Sequence, residues 1–322
     1  MPVLNVENLS VSFPCARRPF RAVDGVSFAI EEGRTLAFVG ETGCGKTMTA
    51  LALLRLTPPM AAIEAQSVAL SGRDLTRFSS EEMRAVRGRG IGMVFQDPAA
   101  ALNPVLTIGE QVMEALRAHE RLPRRLAWER AVHQLGEVGM PDPARAARRY
   151  PHELSGGLKQ RATIAAAIIC RPSLLIADEP TTALDVTVQA QIMDLLARLL
   201  AERRMVLLLI THDLGLVAEA ADDVAVMYAG RIVERTDVQA LFARPLHPYA
   251  RDLLASVPRL TDATHRLKSI EGTVPDLADL PPGCVYAPRC SERAEGCERP
   301  QDLEEIAPGR WVRCWRARWW AE

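Results

Sequence analysis

No apolar run in this chain approaches the ~20 residues that a membrane-spanning helix needs. Stretches such as "ATIAAAIIC" and "MVLLLI" are much shorter, so any membrane role is expected to be peripheral. The opening "MPVLNVENLSVSF" lacks the charged, apolar and small-residue sections of a secretory signal and alternates like an edge strand, so export is not expected. Neither charge is in excess: 39 basic residues stand against 40 acidic ones, a net charge of -1, which disfavours nucleic acid as a partner. Cysteine is sparse through most of the chain. Cys15, Cys44 and Cys170 are scattered and read as free thiols, and the other four cluster near the end. What remains is 322 residues, 48% hydrophobic and 25% charged, an ordinary globular composition with room for one large core domain and an appendage.

The chemistry begins at "RTLAFVGETGCGKTMTALALLRL", which reads as a buried strand (residues 35–39), a glycine loop and an apolar helix. That context gives the loop its meaning. Gly40, Gly45, Lys46 and Thr47 match G-x-x-x-x-G-K-[ST], in which backbone N–H groups wrap phosphates, the lysine reaches the β and γ oxygens, and the hydroxyl ligates Mg²⁺. Glu41, Thr42, Gly43, Cys44 and Met48 complete the nucleotide-contacting set. Cys44 lies at a helix N-terminus, which lowers a thiol pKa and favours oxidation, but it also reads as a small packed side chain. A second buried strand in "RPSLLIADEP" ends in two carboxylates: Asp178, placed to hold Mg²⁺, and Glu179, the candidate for polarising the attacking water. "MVLLLITHD" adds a third apolar strand, ending at His212, a candidate γ-phosphate contact. In "ELSGGLKQR", Ser155, Gly156 and Gly157 precede an alanine-rich helical run, and a loop of that kind at a helix N-terminus is a second anion cradle. A plain reading has Ser155 as an N-cap and the glycines as a tight entry.

In order and spacing these residues resemble the ATPase subunit of an ABC transporter, over roughly residues 1–240. Gly40 to Thr47 resemble its Walker A loop, Gln96 in "MVFQDP" its Q-loop, Leu154 to Gln160 its signature, Leu174 to Glu179 its Walker B strand, Ala183 to Asp185 its D-loop and His212 its switch histidine. Two departures stand out: Leu158 where the family often has glutamine, and Cys44 where serine is usual. The resemblance implies an α/β P-loop nucleotide-binding domain with a mostly parallel sheet, an antiparallel β subdomain, a helical subdomain and a C-terminal extension. It implies ATP and Mg²⁺ as cofactors, the metal held by Thr47, Gln96 and Asp178. It also implies head-to-tail pairing, in which Ser155, Gly156, Gly157 and Asp185 of one subunit close over the ATP of the other. Adenine would stack on Phe13, or on Phe20 as the alternative.

Between Q-loop and signature, Ile108, Val112 and Leu116 recur at helical spacing and Pro123, Pro141 and Pro143 interrupt, giving a helical subdomain over about 97–165. In ABC transporters that subdomain receives a short helix of the membrane subunit. The phrases "FQDPAAALNPVLTIGEQ", "EPTTALDVTVQAQI" and "LFARPLHPYARDLLASVP" resemble the dipeptide and oligopeptide import branch, which includes nickel and glutathione importers. The expected division is residues 1–243 for the ATPase and 244–322 for the extension. Expected partners are a second ATPase subunit (a related heterodimer partner, or a second copy), two permease subunits and an external binding protein acting through them, with the chain at the cytoplasmic face of the inner membrane. A DNA-repair ATPase would carry a long coiled-coil or zinc insertion between P-loop and signature, and a ribosome-associated ABC protein a second P-loop; neither feature is present.

Cys284, Cys290, Cys297 and Cys314, separated by five, six and sixteen residues, are too widely spaced for the paired C-x-x-C of most zinc sites. Four soft sulfurs in a proline-rich tail still suggest a metal staple. In the oligopeptide branch a similar pattern holds a [4Fe-4S] cluster, which is the favoured expectation here, with zinc, free thiols or disulfides as alternatives. Trp311, Trp315 and Trp319 stand at i, i+4, i+8 spacing, as on one aromatic face of a helix.

Overall fold

The computed structural model describes residues 2–15, 18–256 and 270–321. The chain divides into two compact units: residues 1–4, 31–33 and 70–210 form one, and residues 5–30, 34–69 and 211–322 the other.

The first unit holds a parallel ribbon, Ile91–Val94 beside Leu174–Asp178 beside Val206–Ile210. The last two strands are buried at every position. Such continuous apolar strands, without alternation, are what a sheet covered on both faces requires. Helices follow. Ile108–Arg117 opens on a capping box, with Thr107 and Glu110 each satisfying the other's backbone N–H, and buries Ile108, Val112 and Leu116 as their spacing predicts. Pro123 precedes Arg124–Glu137 and Pro143 occupies the first turn of Pro143–Ala146, so both prolines start helices where their missing N–H costs nothing. The signature helix runs Gly156–Ile168, so Gly156 and Gly157 lie in its first turn rather than ahead of it.

The second unit carries the P-loop strand, Thr35–Val39, buried throughout and parallel to Asp223–Tyr228. Asp223–Tyr228 turns back antiparallel into Arg231–Asp237. Two further strands extend that edge: Arg310–Val312 pairs with Arg231–Asp237, and Glu304–Ala307 pairs with Arg310–Val312, both antiparallel. A separate antiparallel sheet places Leu4–Phe13 between Phe20–Ile30 and Ser67–Leu70, with Ala62–Glu64 also paired to it. The opening strand is therefore interior, not an edge: its alternation reflects one buried face, which edge and interior strands of an antiparallel sheet share.

The tryptophans do not form one helical face. Trp311 lies in the strand Arg310–Val312, opposite Arg235, whose guanidinium stacks on the indole at 5.2 Å. Trp319 lies in the short helix Ala317–Ala321, and Trp315, just ahead of it, meets Trp319 edge to face at 5.0 Å. Pairing with a sheet edge outweighs a periodicity of three residues, because each strand residue gains ladder hydrogen bonds that a short isolated helix cannot match.

Candidate nucleotide site

In the second unit the loop from Gly40 to Gly45 leads directly into the helix Lys46–Leu53. Gly45 adopts φ 103°, and a Cβ there would stand 2.5 Å from the Ala22 carbonyl oxygen, so only glycine fits. At Gly43 a Cβ would meet nothing within 4 Å, so the crown of the loop faces open space. Lys46 is 6% exposed and its Nζ donates to the carbonyls of Gly40 (2.7 Å) and Glu41 (3.1 Å). The ammonium thus lies inside the loop while Thr47 is exposed at the helix start. A glycine loop at a helix N-terminus with an enclosed cation fits a polyphosphate. Cys44 is fully buried and burial raises its thiol pKa, so of its two readings the small packed side chain is the one the structure supports: packing outweighs the helix dipole.

His212 is exposed and lies past the end of the strand Val206–Ile210. Its neighbour Thr211 donates its N–H to the Phe38 carbonyl, at the end of the P-loop strand (3.2 Å). Phe13 and Phe20 stack on one another, 5.4 Å between ring centres and 13° between planes, both partly exposed. The two rival adenine candidates form one aromatic surface.

In the first unit the acids end their strand as the sequence predicts. Asp178 is buried at the last position of Leu174–Asp178. Glu179 follows in the left-handed region at φ 47°, a cost of order 1–3 kcal/mol for a side-chain-bearing residue. Its N–H is fixed by the Ile210 carbonyl at 2.8 Å. Gln96 Nε2 donates to Glu179 Oε2 at 3.0 Å, and Thr182 Oγ1 donates to the same oxygen at 2.9 Å. The Q-loop glutamine and the candidate base, 83 residues apart, are therefore in direct contact. Sequence reasoning does not single out Thr182; its position three residues after Glu179 is the available signal.

Ser155 occupies the N-cap position of the signature helix, yet its side chain makes no capping bond. The plain N-cap reading is thus not what its hydroxyl does. A Cβ on Gly157 would meet Val188 Cγ1 at 2.6 Å, and one on Gly156 would meet Leu184 at 3.3 Å, so both glycines also serve close packing, Gly156 against the D-loop segment and Gly157 against the helix that follows it. Asp185 caps the next helix, Val186–Arg203, by accepting from the Val188 N–H.

The four late cysteines carry no disulfide. Each lies within electrostatic reach of the others, and burial, reinforced by neighbouring sulfurs, pushes the Cys290 and Cys314 thiols up to about 11. Among the described residues, however, no group of three or more His, Cys, Asp or Glu side chains is set to hold a metal ion, so neither the iron–sulfur nor the zinc expectation gains support. Cys284 and Cys290 pack against one apolar cluster, with Tyr228, Tyr249 and Tyr286, and Cys314 against another, around Leu246, Val312 and Ala317.

Comparison with known proteins settles the family. The profile of the family described as ABC transporter matches residues 23–182, and that of the oligopeptide/dipeptide transporter C-terminal region matches residues 233–297. A putative peptide import ATP-binding protein of Brucella abortus is 51% identical over 308 residues, 92% of this chain and 91% of that protein. The chain belongs to the ABC transporter ATP-binding family. The dipeptide transport ATP-binding proteins DppD of Bacillus subtilis (97% of this chain, 94% of that one) and Escherichia coli (98% and 96%) are 47% and 46% identical over 315 residues. Among solved structures, the dimeric post-hydrolysis ATP-binding cassette MJ0796 bound to ADP and Pi aligns with TM-score 0.65 and 26% identity, covering 73% of this chain and 98% of that one. The chain has the ABC ATPase fold.

Proposed function

We propose that this protein is the ATP-hydrolysing motor subunit of an importer for dipeptides or oligopeptides. The observation that carries the reading is the conjunction, on one chain, of the ABC transporter profile and the oligopeptide/dipeptide C-terminal region. The proposed division remains 1–243 for the ATPase and 244–322 for the extension.

In this reading the loop from Gly40 to Met48 binds the phosphates, Lys46 carrying the charge, and Phe13 with Phe20 receives the adenine. Mg²⁺, when bound by Thr47, Asp178 and Gln96, supplies charge neutralisation at the transferred phosphoryl group. Glu179 accepts the proton of the attacking water, and its carboxylate is oriented by Gln96 and Thr182. His212 contacts the γ-phosphate. Ser155, Gly156, Gly157 and Asp185 act across a dimer, on the nucleotide of a second ATPase subunit, so that hydrolysis depends on closure and reopening drives transport. The partner subunit is a related chain, and two permeases and an external binding protein complete the machine at the cytoplasmic face of the membrane. Among the described residues no helix is long and apolar enough to cross a membrane. Phe95 and Val105, exposed beside the Q-loop in sequence, are suited to receive a permease helix. For the four cysteines the iron–sulfur reading rests on ligand chemistry alone.

The test is Glu179→Gln in the assembled transporter. ATP binding is expected to persist while turnover falls about 10²–10⁴-fold, the usual contribution of a general base. Normal turnover in that variant would falsify the assignment.

A further inference from the structure

The P-loop carries an unexpected charge: Glu41, directly after Gly40, puts a carboxylate into the loop that must receive a polyanion. Left alone, that carboxylate would repel the phosphates, because like charges a few ångströms apart in a partly desolvated site are screened far less than in water. Glu41 is not left alone. Arg289 Nη1 meets Glu41 Oε2 at 2.7 Å and Arg289 Nη2 meets Oε1 at 3.0 Å, a bidentate fork. The Arg289 side chain is 4% exposed. The fork is itself held: Nε donates to the Glu271 carbonyl at 2.8 Å, Nη2 to the Ile270 carbonyl at 3.3 Å and Nη1 to the Tyr228 hydroxyl at 3.3 Å. The rest of Glu41 is equally fixed, its N–H donating to the Tyr249 hydroxyl (2.9 Å) and its carbonyl accepting from Lys46.

We propose that Arg289 is a positioning residue for nucleotide: it neutralises the Glu41 carboxylate and draws it aside so that the P-loop can accept a polyphosphate. Because Arg289 immediately precedes Cys290, the cysteine-bearing extension thereby sets the electrostatics of the phosphate cradle, at a residue 248 positions earlier in the chain. A plain alternative makes the ion pair a staple that only ties the extension down. The two differ in what happens when the carboxylate is also removed: a staple stays broken, whereas a neutralising arginine is no longer needed.

This inference rests on the P-loop being the ATP site, and the experiment separates the two. ATP affinity of the full chain is measured for wild type, Lys46→Ala, Arg289→Ala, Glu41→Gln and the double variant Arg289→Ala/Glu41→Gln. If wild type and Lys46→Ala bind ATP equally, the P-loop reading fails. If that control behaves, Arg289→Ala is expected to weaken ATP about tenfold and the double variant to recover most of the loss. Should Arg289→Ala not fold, Arg289→Lys with and without Glu41→Gln carries the same comparison, with a loss of about threefold and the same recovery. An unchanged affinity in the Arg289 variants, or a double variant no tighter than the single one, overturns the proposal.

Discussion

Acid should unfold this protein through one buried imidazole. His247 is 1% exposed, and its Nδ1 accepts the Tyr249 N–H (3.1 Å), capping the helix Pro248–Ala255. Its own backbone N–H donates to Glu234 Oε2 at 2.7 Å. Burial, with the positive charges of Arg251 and Arg313 behind it, lowers the imidazole pKa from 6.5 to about 3. The native state therefore keeps the ring neutral where the unfolded chain protonates it. The sign follows: the unfolded state binds more protons between pH 6.5 and 3, so the stability held above 6.5 is lost as pH falls through that window, at about 1.4 kcal/mol per pH unit. By pH 5 the loss is about 2 kcal/mol, and by pH 3 on the order of 5 kcal/mol. The assay is urea unfolding of wild type and His247→Asn at pH 7.5 and pH 5. Asparagine can cap the helix but does not titrate. Arg251, Arg313 and Tyr286 around the ring, and Glu234 on the His247 backbone N–H, remain in both proteins, so their effect cancels in the comparison. Wild type should lose about 2 kcal/mol more than the variant. Equal losses would refute the reasoning and put the acid sensitivity elsewhere.

Ser155→Arg should leave ATP binding by the isolated chain intact and abolish cooperative hydrolysis in the assembled complex; retained cooperativity would count against a cradle that acts across a dimer. Anaerobic purification with iron, sulfide and zinc analysis decides the four cysteines: stoichiometric iron and sulfide are the outcome the ligand chemistry calls for, and zinc without either removes the cluster.

Much of the nucleotide chemistry is legible in the order of residues alone. Local rules are enough to recognise a P-loop, because its glycines, lysine and threonine are adjacent in sequence and the flanking strand and helix declare themselves by continuous apolar residues. Asp178 and Glu179 are legible for the same reason, as acids ending a buried strand. Pro123 and Pro143 read in the sequence as interruptions, and in the structure they stand at helix starts, where capping chemistry acts within one turn.

What the sequence leaves open depends on partners far away in the chain. Whether Leu4–Phe13 is an edge strand turns on Phe20–Ile30 and Ser67–Leu70 reaching its two sides, and alternation reports a buried face but not the number of neighbours. Trp311 reads as helical beside Trp315 and Trp319, but pairing with Arg231–Asp237 claims it for a strand. Gln96 and Glu179 meet, Phe13 stacks on Phe20, and Arg289 reaches Glu41 only because the fold brings these residues together. The sequence by itself determined which residues could do the chemistry, since residue type and near neighbours decide that. Tertiary structure decided their company, since burial and charge pairing between distant residues are set by packing alone.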